Sequence, residues 1–96
     1  MYLYAIIDTA NSVVKIGRSE DPDRRCAQLQ TGSAHLLTVL HRVRVAEDRA
    51  ALLERRLHRE LAHLRSRGEW FRISPERARG MLDYCVIRWH DDPLLE

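Results

Sequence analysis

Four cations gather where a β-branched run gives way to a helix start: Lys15, Arg18, Arg24 and Arg25. Val13 to Ile16 ends in Gly17, a polar loop follows, and Asp21-Pro22 opens the helix. Asp21 suits the cap because its carboxylate accepts from a first-turn amide, and Pro22 sits where no N–H is needed. Arginines in the first turns oppose the helix dipole, at roughly 0.3–1 kcal/mol each when exposed. Asp21 and Asp23 offset part of that cost, and a phosphate would offset it better. Cys26 and Leu29 mark the buried side of this helix. On a 3.6-residue turn Arg25 lies about 70° from that side and leans over the sheet, while Arg24 points to water. Spacing alone favours two solvated surface charges.

Ninety-six residues make one domain with a single modest core. Charged residues are 31% of the chain, which excludes a disordered class, and a net charge of +2 does not announce a nucleic-acid binder. Fifteen of the 16 basic residues are arginine, so any phosphate-binding face must arise from local clustering. The two cysteines, Cys26 and Cys85, share no C-x-x-C spacing. Both fall on helix faces, which predicts buried reduced thiols in a reducing compartment. No stretch has the apolar length of a membrane span, and no basic-then-apolar leader opens the chain. A cytoplasmic protein is expected.

The elements that must position the cations follow from periodicity. Tyr2–Ile7 and Val13–Ile16 read as a hairpin across the turn cluster at 8–12. A helix from Pro22 to Thr31 stops at Gly32. Over Leu36–Val45, alternation sets Leu37, Val39, His41, Val43 and Val45 on one core face, which makes His41 a packed core histidine. Between Glu47 and about Arg65 the period turns helical, with Ala50, Leu53, Leu57, Leu61 and Leu64 in one stripe. Glu69–Ile73 reads as a short strand or extended segment, and Ser74-Pro75 starts a last helix to about His90. Residues 1–90 form the domain and 91–96 a flexible C-terminal tail. The order predicts an α+β fold: a small three-stranded antiparallel sheet flanked by helices.

Five positions in this framework resemble the GIY-YIG endonuclease superfamily, and more narrowly its small branch with a K-I-G-R motif. Tyr2-Leu3-Tyr4 stands where the first tripeptide belongs and Lys15-Ile16-Gly17 where the second does. Arg25 follows at the spacing of the catalytic arginine. Glu54, in A-L-L-E-R-R-L-H, matches the metal-holding glutamate, and Arg67 to Phe71 (R-G-E-W-F) resembles a further signature of the branch. The resemblance covers roughly residues 2–73.

It implies a Mg²⁺-dependent (or Mn²⁺-dependent) DNA endonuclease working by a single-metal, one-step displacement. Arg25 would offer forked donors to the charged phosphoryl group. Glu54 would hold the metal, Lys15 and Arg18 would bind phosphate, and Tyr4 would activate or position the water. Acting as a base, Tyr4 would need a pKa well below its ordinary value near 10. The helix stripe does not choose Glu54: it lies about 60° from the stripe centre, and Glu60 as far on the other side. Without the resemblance, Glu54 reads as a flank glutamate paired with His58 at i+4. His58 and His63 do not share a helix face, which argues against a zinc site.

The second tripeptide's tyrosine is Lys15 here, the asparagine that many members carry after the metal helix has no match at 66–69, and the histidine four beyond the arginine is Leu29. These departures admit a second reading: a catalytically inactive module of the same fold that binds DNA or a protein. A third is a small regulatory subunit using Trp70 and Trp89. A domain this small reads little DNA sequence by itself, so specificity would be low or supplied by a separate partner, and cutting both strands would require a homodimer or two visits.

Overall fold

The computed structural model describes residues 1–95. Its strands and helices run β1 (Tyr2–Asp8), β2 (Val13–Ser19), α1 (Pro22–Thr31), β3 (Leu37–Arg44), α2 (Glu47–Glu60), β4 (Arg65–Arg67), β5 (Trp70–Phe71) and α3 (Pro75–Tyr84). A 3₁₀ turn at Ala62–Leu64 follows α2, and a π-wound segment at Cys85–Trp89 extends α3. The α+β class is as expected, but the antiparallel sheet has five strands in the order β3-β1-β2-β5-β4, not three. The additional strands are three and two residues long, too short to display an alternation.

Strand geometry sends alternate side chains to opposite faces, and each face is covered differently. Leu3, Ala5, Val14, Ile16 and Phe71 pack under α2 and α3, against Leu53, Leu57, Ala78 and Leu82. Tyr4 and Ile6 pack under α1 with Cys26 and Leu37. Leu53 and Leu57 are fully buried, and each such leucine stabilises the fold by about 1.5–3 kcal/mol. Both cysteines are buried and free, and burial pushes the Cys85 thiol up to about 12.

Four local expectations differ from the structure. The single core face expected of β3 is broken by an irregularity opposite Ala5/Ile6, where the partner jumps from His41 to Val39. One extra residue flips the side chains beyond it. Leu37 and Val39 therefore pack towards α1, and Leu40 and Val43 towards the main core. His41 is not a core residue: its side chain is 30% exposed and its Nε2 lies 2.8 Å from Asp83 Oδ1. The helix expected to reach Arg65 ends at Glu60, because the 3₁₀ turn reverses the chain into β4. At the C-terminus, Leu95 is buried in the main core at 2% exposure. Arg49 of α2 donates to the carbonyls of His90 and Asp92 at 2.8 and 2.7 Å. The stretch expected to be a flexible tail is thus tied to α2 up to Leu95, while Glu96 lies outside the described residues.

The β4–β5 turn sets the position of Glu69. Arg67 and Trp70 are register partners, which leaves Gly68 and Glu69 as the turn, and Gly68 has φ +55°. A side chain at Gly68 would meet nothing within 4 Å, so its only cost is the left-handed backbone. Gly68→Ala is expected to destabilise the protein by about 1 kcal/mol, lowering Tm by roughly 4–8 °C on thermal unfolding. An unchanged Tm would show that the turn readily takes another form.

Candidate active site

The short β5 leaves part of β2 uncovered, and the functional groups collect there. β5 pairs only with Val14 and Lys15. Ile16 still donates its N–H to the Glu69 carbonyl at 3.1 Å, but its own carbonyl has no strand partner on that side. His58 supplies one, with Nε2 2.7 Å from the Ile16 oxygen. A carbonyl only accepts, so Nε2 carries the proton, and in the neutral ring Nδ1 keeps the lone pair. This bond holds α2 over the strand edge. Glu54, one helical turn earlier on the same face, is brought to the same place. The β4–β5 turn delivers Glu69. One ligand atom from each of Glu54, His58 and Glu69 lies within 4.8 Å of the others.

Cations face these carboxylates from both sides of the sheet. Lys15 is buried, and its Nζ donates to Glu69 Oε1 at 2.7 Å. Arg18 points to the α2 face, with Nε 3.7 Å from Glu54 Oε1. Arg25 rises from the first turns of α1, exposed, and reaches Gln28 Oε1 at 3.5 Å. That position follows from the cap: Asp21 accepts from the Arg24 amide at 3.1 Å, and Pro22 occupies the first turn.

Tyr4 lies between the two groups. It is the register partner of Gly17, and its ring fills the space a side chain there would take: a Cβ would stand 2.6 Å from Tyr4 Cζ. Burial raises the Tyr4 pKa; hydrogen bonding and charge from Arg25 pull it down, and the carboxylates of Glu69 and Glu54 raise it further. One phenol therefore feels charge from Arg25 on α1 and, more weakly, from Glu54 on α2. The net shift is upward, so the lowered pKa that a tyrosine base requires is not present. At neutral pH the phenol is protonated, able to orient a water or phosphate oxygen but not to accept a proton.

The two glutamates shift in opposite directions. Burial is the main cause that raises the Glu54 pKa, the neighbouring Glu69 adds to it, and His58, Arg18 and Lys15 offset this in part. Burial also pushes Glu69 up, but the Lys15 hydrogen bond and charge, with His58 and Arg25, bring it below its ordinary value. Glu54 is thus a carboxylate short of positive charge. A divalent cation would relieve that shortage, and two carboxylates with one imidazole nitrogen form a suitable donor set. His58 also donates its other ring N–H to a backbone carbonyl, as metal-binding imidazoles usually do. The residues present fit a metal ion.

The T5orf172 domain model matches residues 1–89. The chain belongs to this family. T5orf172 domains are nuclease-type domains related to GIY-YIG. No curated protein and no solved structure matches the chain. Among its described residues, no helix is long and apolar enough to cross a membrane.

Of the five residues singled out in the sequence, the T5orf172 chain sets Lys15, Arg18 and Glu54 at the open edge of β2 and Tyr4 against Gly17. Arg25 stands exposed on α1 with Gln28 as its side-chain partner. Two further members of the cluster escaped the sequence reading. The lack of a shared face with His63 hides His58, although its i+4 spacing from Glu54 puts those two on one helix face. Glu69 stands inside R-G-E-W-F, but the turn that aims it at Lys15 depends on the pairing of β5 with β4, whose three residues show no alternation in the sequence.

The raised pKa of Glu54 has a measurable consequence in the metal-free protein. A carboxyl whose folded pKa exceeds its unfolded value, near 4.5 for Glu54, weakens the folded state as pH rises above that value. The penalty is complete above the folded pKa and absent below both. Glu54→Gln is therefore expected to raise Tm in chelator at neutral pH, with the gain vanishing as pH falls towards about 4.5. Glu69 has the opposite sign, so Glu69→Gln should lower Tm at neutral pH. A Glu54→Gln protein less stable than wild type at neutral pH would show that Arg18, Lys15 and His58 outweigh the burial.

Proposed function

We propose that this T5orf172 domain is a Mg²⁺- or Mn²⁺-dependent DNA endonuclease of the small K-I-G-R branch, hydrolysing phosphodiesters in a single displacement. The observation that supports it is the Glu54–His58–Glu69 cluster, with its ligand atoms within 4.8 Å of one another, beside a Tyr4 phenol that feels the Arg25 charge. Phosphodiester hydrolysis builds charge on the non-bridging oxygens and on the leaving 3′ oxygen, and both kinds of stabiliser are present. Arg25 offers planar, forked donors to the phosphoryl oxygens. Arg18 adds positive charge along the same edge and holds the flanking backbone, while the buried Lys15, paired with Glu69 at 2.7 Å, adds its charge to the phosphate from beneath. The protonated Tyr4 hydroxyl, wedged against Gly17, orients the attacking water by hydrogen bonding. Glu54, His58 and Glu69 would hold the metal, which when bound supplies charge stabilisation to phosphate and leaving-group oxygens.

One such site cuts one strand, so double-strand cleavage requires a homodimer or a second visit, and sequence preference comes from a separate partner. Two free buried thiols fit a cytoplasmic setting. The test is nicking of supercoiled plasmid with Mg²⁺, with Mn²⁺ and with chelator. Nicking in either ion and none in chelator is expected; a folded protein inert in both ions would reject the enzyme.

One feature favours a second reading. Lys15 neutralises Glu69 at 2.7 Å, so the cluster already holds an internal cation. A binding module without turnover would keep that pair and grip DNA through Arg18, Arg25 and their neighbours. Affinity that falls steeply with salt, with no cleavage in any ion, would identify it.

A further inference from the structure

Beside the metal cluster, on the α1 face of the sheet, three side chains stand in register across three strands. Lys15 of β2 pairs with Trp70 of β5, and Trp70 pairs with Arg67 of β4. Neighbouring strands are about 4.8 Å apart, so this row runs roughly 10 Å outward from Lys15. Trp70 is partly exposed, with the Lys15 ammonium 6.0 Å from its ring centroid. Its indole lines a cavity of about 430 Å³ together with Arg67, Arg72, Ser66, Asn11 and Asp8. Arg67 and Arg72 are exposed, and neither has an ion-pair partner among the described residues. Asp8 is already engaged by the Asn11 amide and side chain at 3.2 and 2.8 Å. The cavity is therefore polarised, cationic at the Arg67 and Arg72 end and acidic at the other, with an aromatic wall between.

We propose that this cavity is a nucleotide subsite. It takes one unpaired nucleotide of the DNA strand that crosses the metal cluster, the base lying against Trp70 and its phosphate on Arg67 and Arg72. The proposal deepens the endonuclease reading and rests on it for the path of the strand. The repulsion of Asp8 orients the nucleotide, because a phosphate at that end would face a carboxylate. Stacking on an indole needs an exposed base face, which a paired, stacked duplex does not offer. The site therefore selects single-stranded or frayed DNA over intact duplex. Ser66 and Asn11 contribute neutral hydrogen-bonding groups without singling out one base.

The experiment is fluorescence titration of the full chain in chelator with a short oligothymidylate, which separates binding from turnover. Saturable quenching is expected in wild type and should be lost in Trp70→Phe, where Trp89 is the remaining indole. Anisotropy with a labelled oligonucleotide should show Trp70→Ala binding roughly tenfold more weakly, within the range of base–aromatic stacking. Arg67→Ala and Arg72→Ala should each lower the salt slope by about one. A hairpin duplex of the same length should leave Trp70 fluorescence unchanged. Circular dichroism confirms the fold of each variant. Quenching that persists in Trp70→Phe, or equal quenching by duplex, would overturn the subsite. If plasmid nicking fails while Trp70 quenching holds, the nuclease reading falls and the subsite stands. Nicking without quenching would remove the subsite and leave the nuclease in place.

Discussion

Glu54→Gln is expected to abolish Mg²⁺-dependent nicking, by at least about 10³-fold, in a protein that remains folded. The substitution keeps the shape of the side chain and removes its charge. Glu54 is mostly buried, at 17% side-chain exposure, and carries the raised pKa, so it is the carboxylate most in need of a cation. An amide in its place leaves the cluster with one carboxylate already neutralised by Lys15. A metal ion at such a site supplies several kcal/mol of charge stabilisation to the transition state, enough for the stated loss. Mn²⁺ binding followed by electron paramagnetic resonance should weaken in parallel. Arg25→Ala tests the opposite wall of the cleft. It should lose about 10²–10³-fold in nicking, as for a preorganised donor to a developing oxyanion, while Mn²⁺ binding stays near wild type. Nicking retained in Glu54→Gln would reject the metal assignment, and Mn²⁺ binding lost in Arg25→Ala would show that the two walls are not separate.

Gly17→Ala should be the most damaging single-methyl change in the protein. Gly17 is buried and lies across from Tyr4, and its missing side chain is the notch that holds the phenol. A Cβ there would stand 2.6 Å from Tyr4 Cζ and nearer still to the phenol oxygen. Neither partner yields easily: Gly17 is fixed within β2, and Tyr4 is packed among Ile6, Cys26 and Leu37. Overpacking of this kind typically costs about 1–3 kcal/mol. In a domain of this size that is a Tm decrease of roughly 4–24 °C. Nicking should fall about 10²-fold even where the protein is fully folded, because displacement of Tyr4 disturbs the group between Arg25 and Glu54. The double substitution Gly17→Ala, Tyr4→Leu should recover stability but not activity. A single Gly17→Ala protein with normal Tm and normal nicking would show that the notch is not needed.

Much of the cleft could be read from residue order alone because its parts are local. The cap at Asp21-Pro22 and the 3.6-residue turn fix where Arg25 leaves α1, although spacing alone leaves it a solvated charge, and i to i+4 spacing suffices to put Glu54 and His58 on one side of α2. The K-I-G-R segment follows directly from strand to loop to helix. Each of these needs no knowledge of where other segments lie.

The remainder depended on contacts between distant segments, for which local periodicity carries no signal. Strands of two and three residues, of which only the segment holding β5 shows as a strand candidate in the sequence, end where the Ile16 carbonyl still lacks a donor, and that gap is what draws His58 to the edge. The Gly68 turn then brings Glu69 across 54 residues of chain to Lys15. The bulge in β3 reversed a face that alternation alone assigned wrongly. Composition and spacing name the groups able to handle a phosphate; unpaired backbone, burial and close packing against a glycine determine which of them meet and in what protonation state.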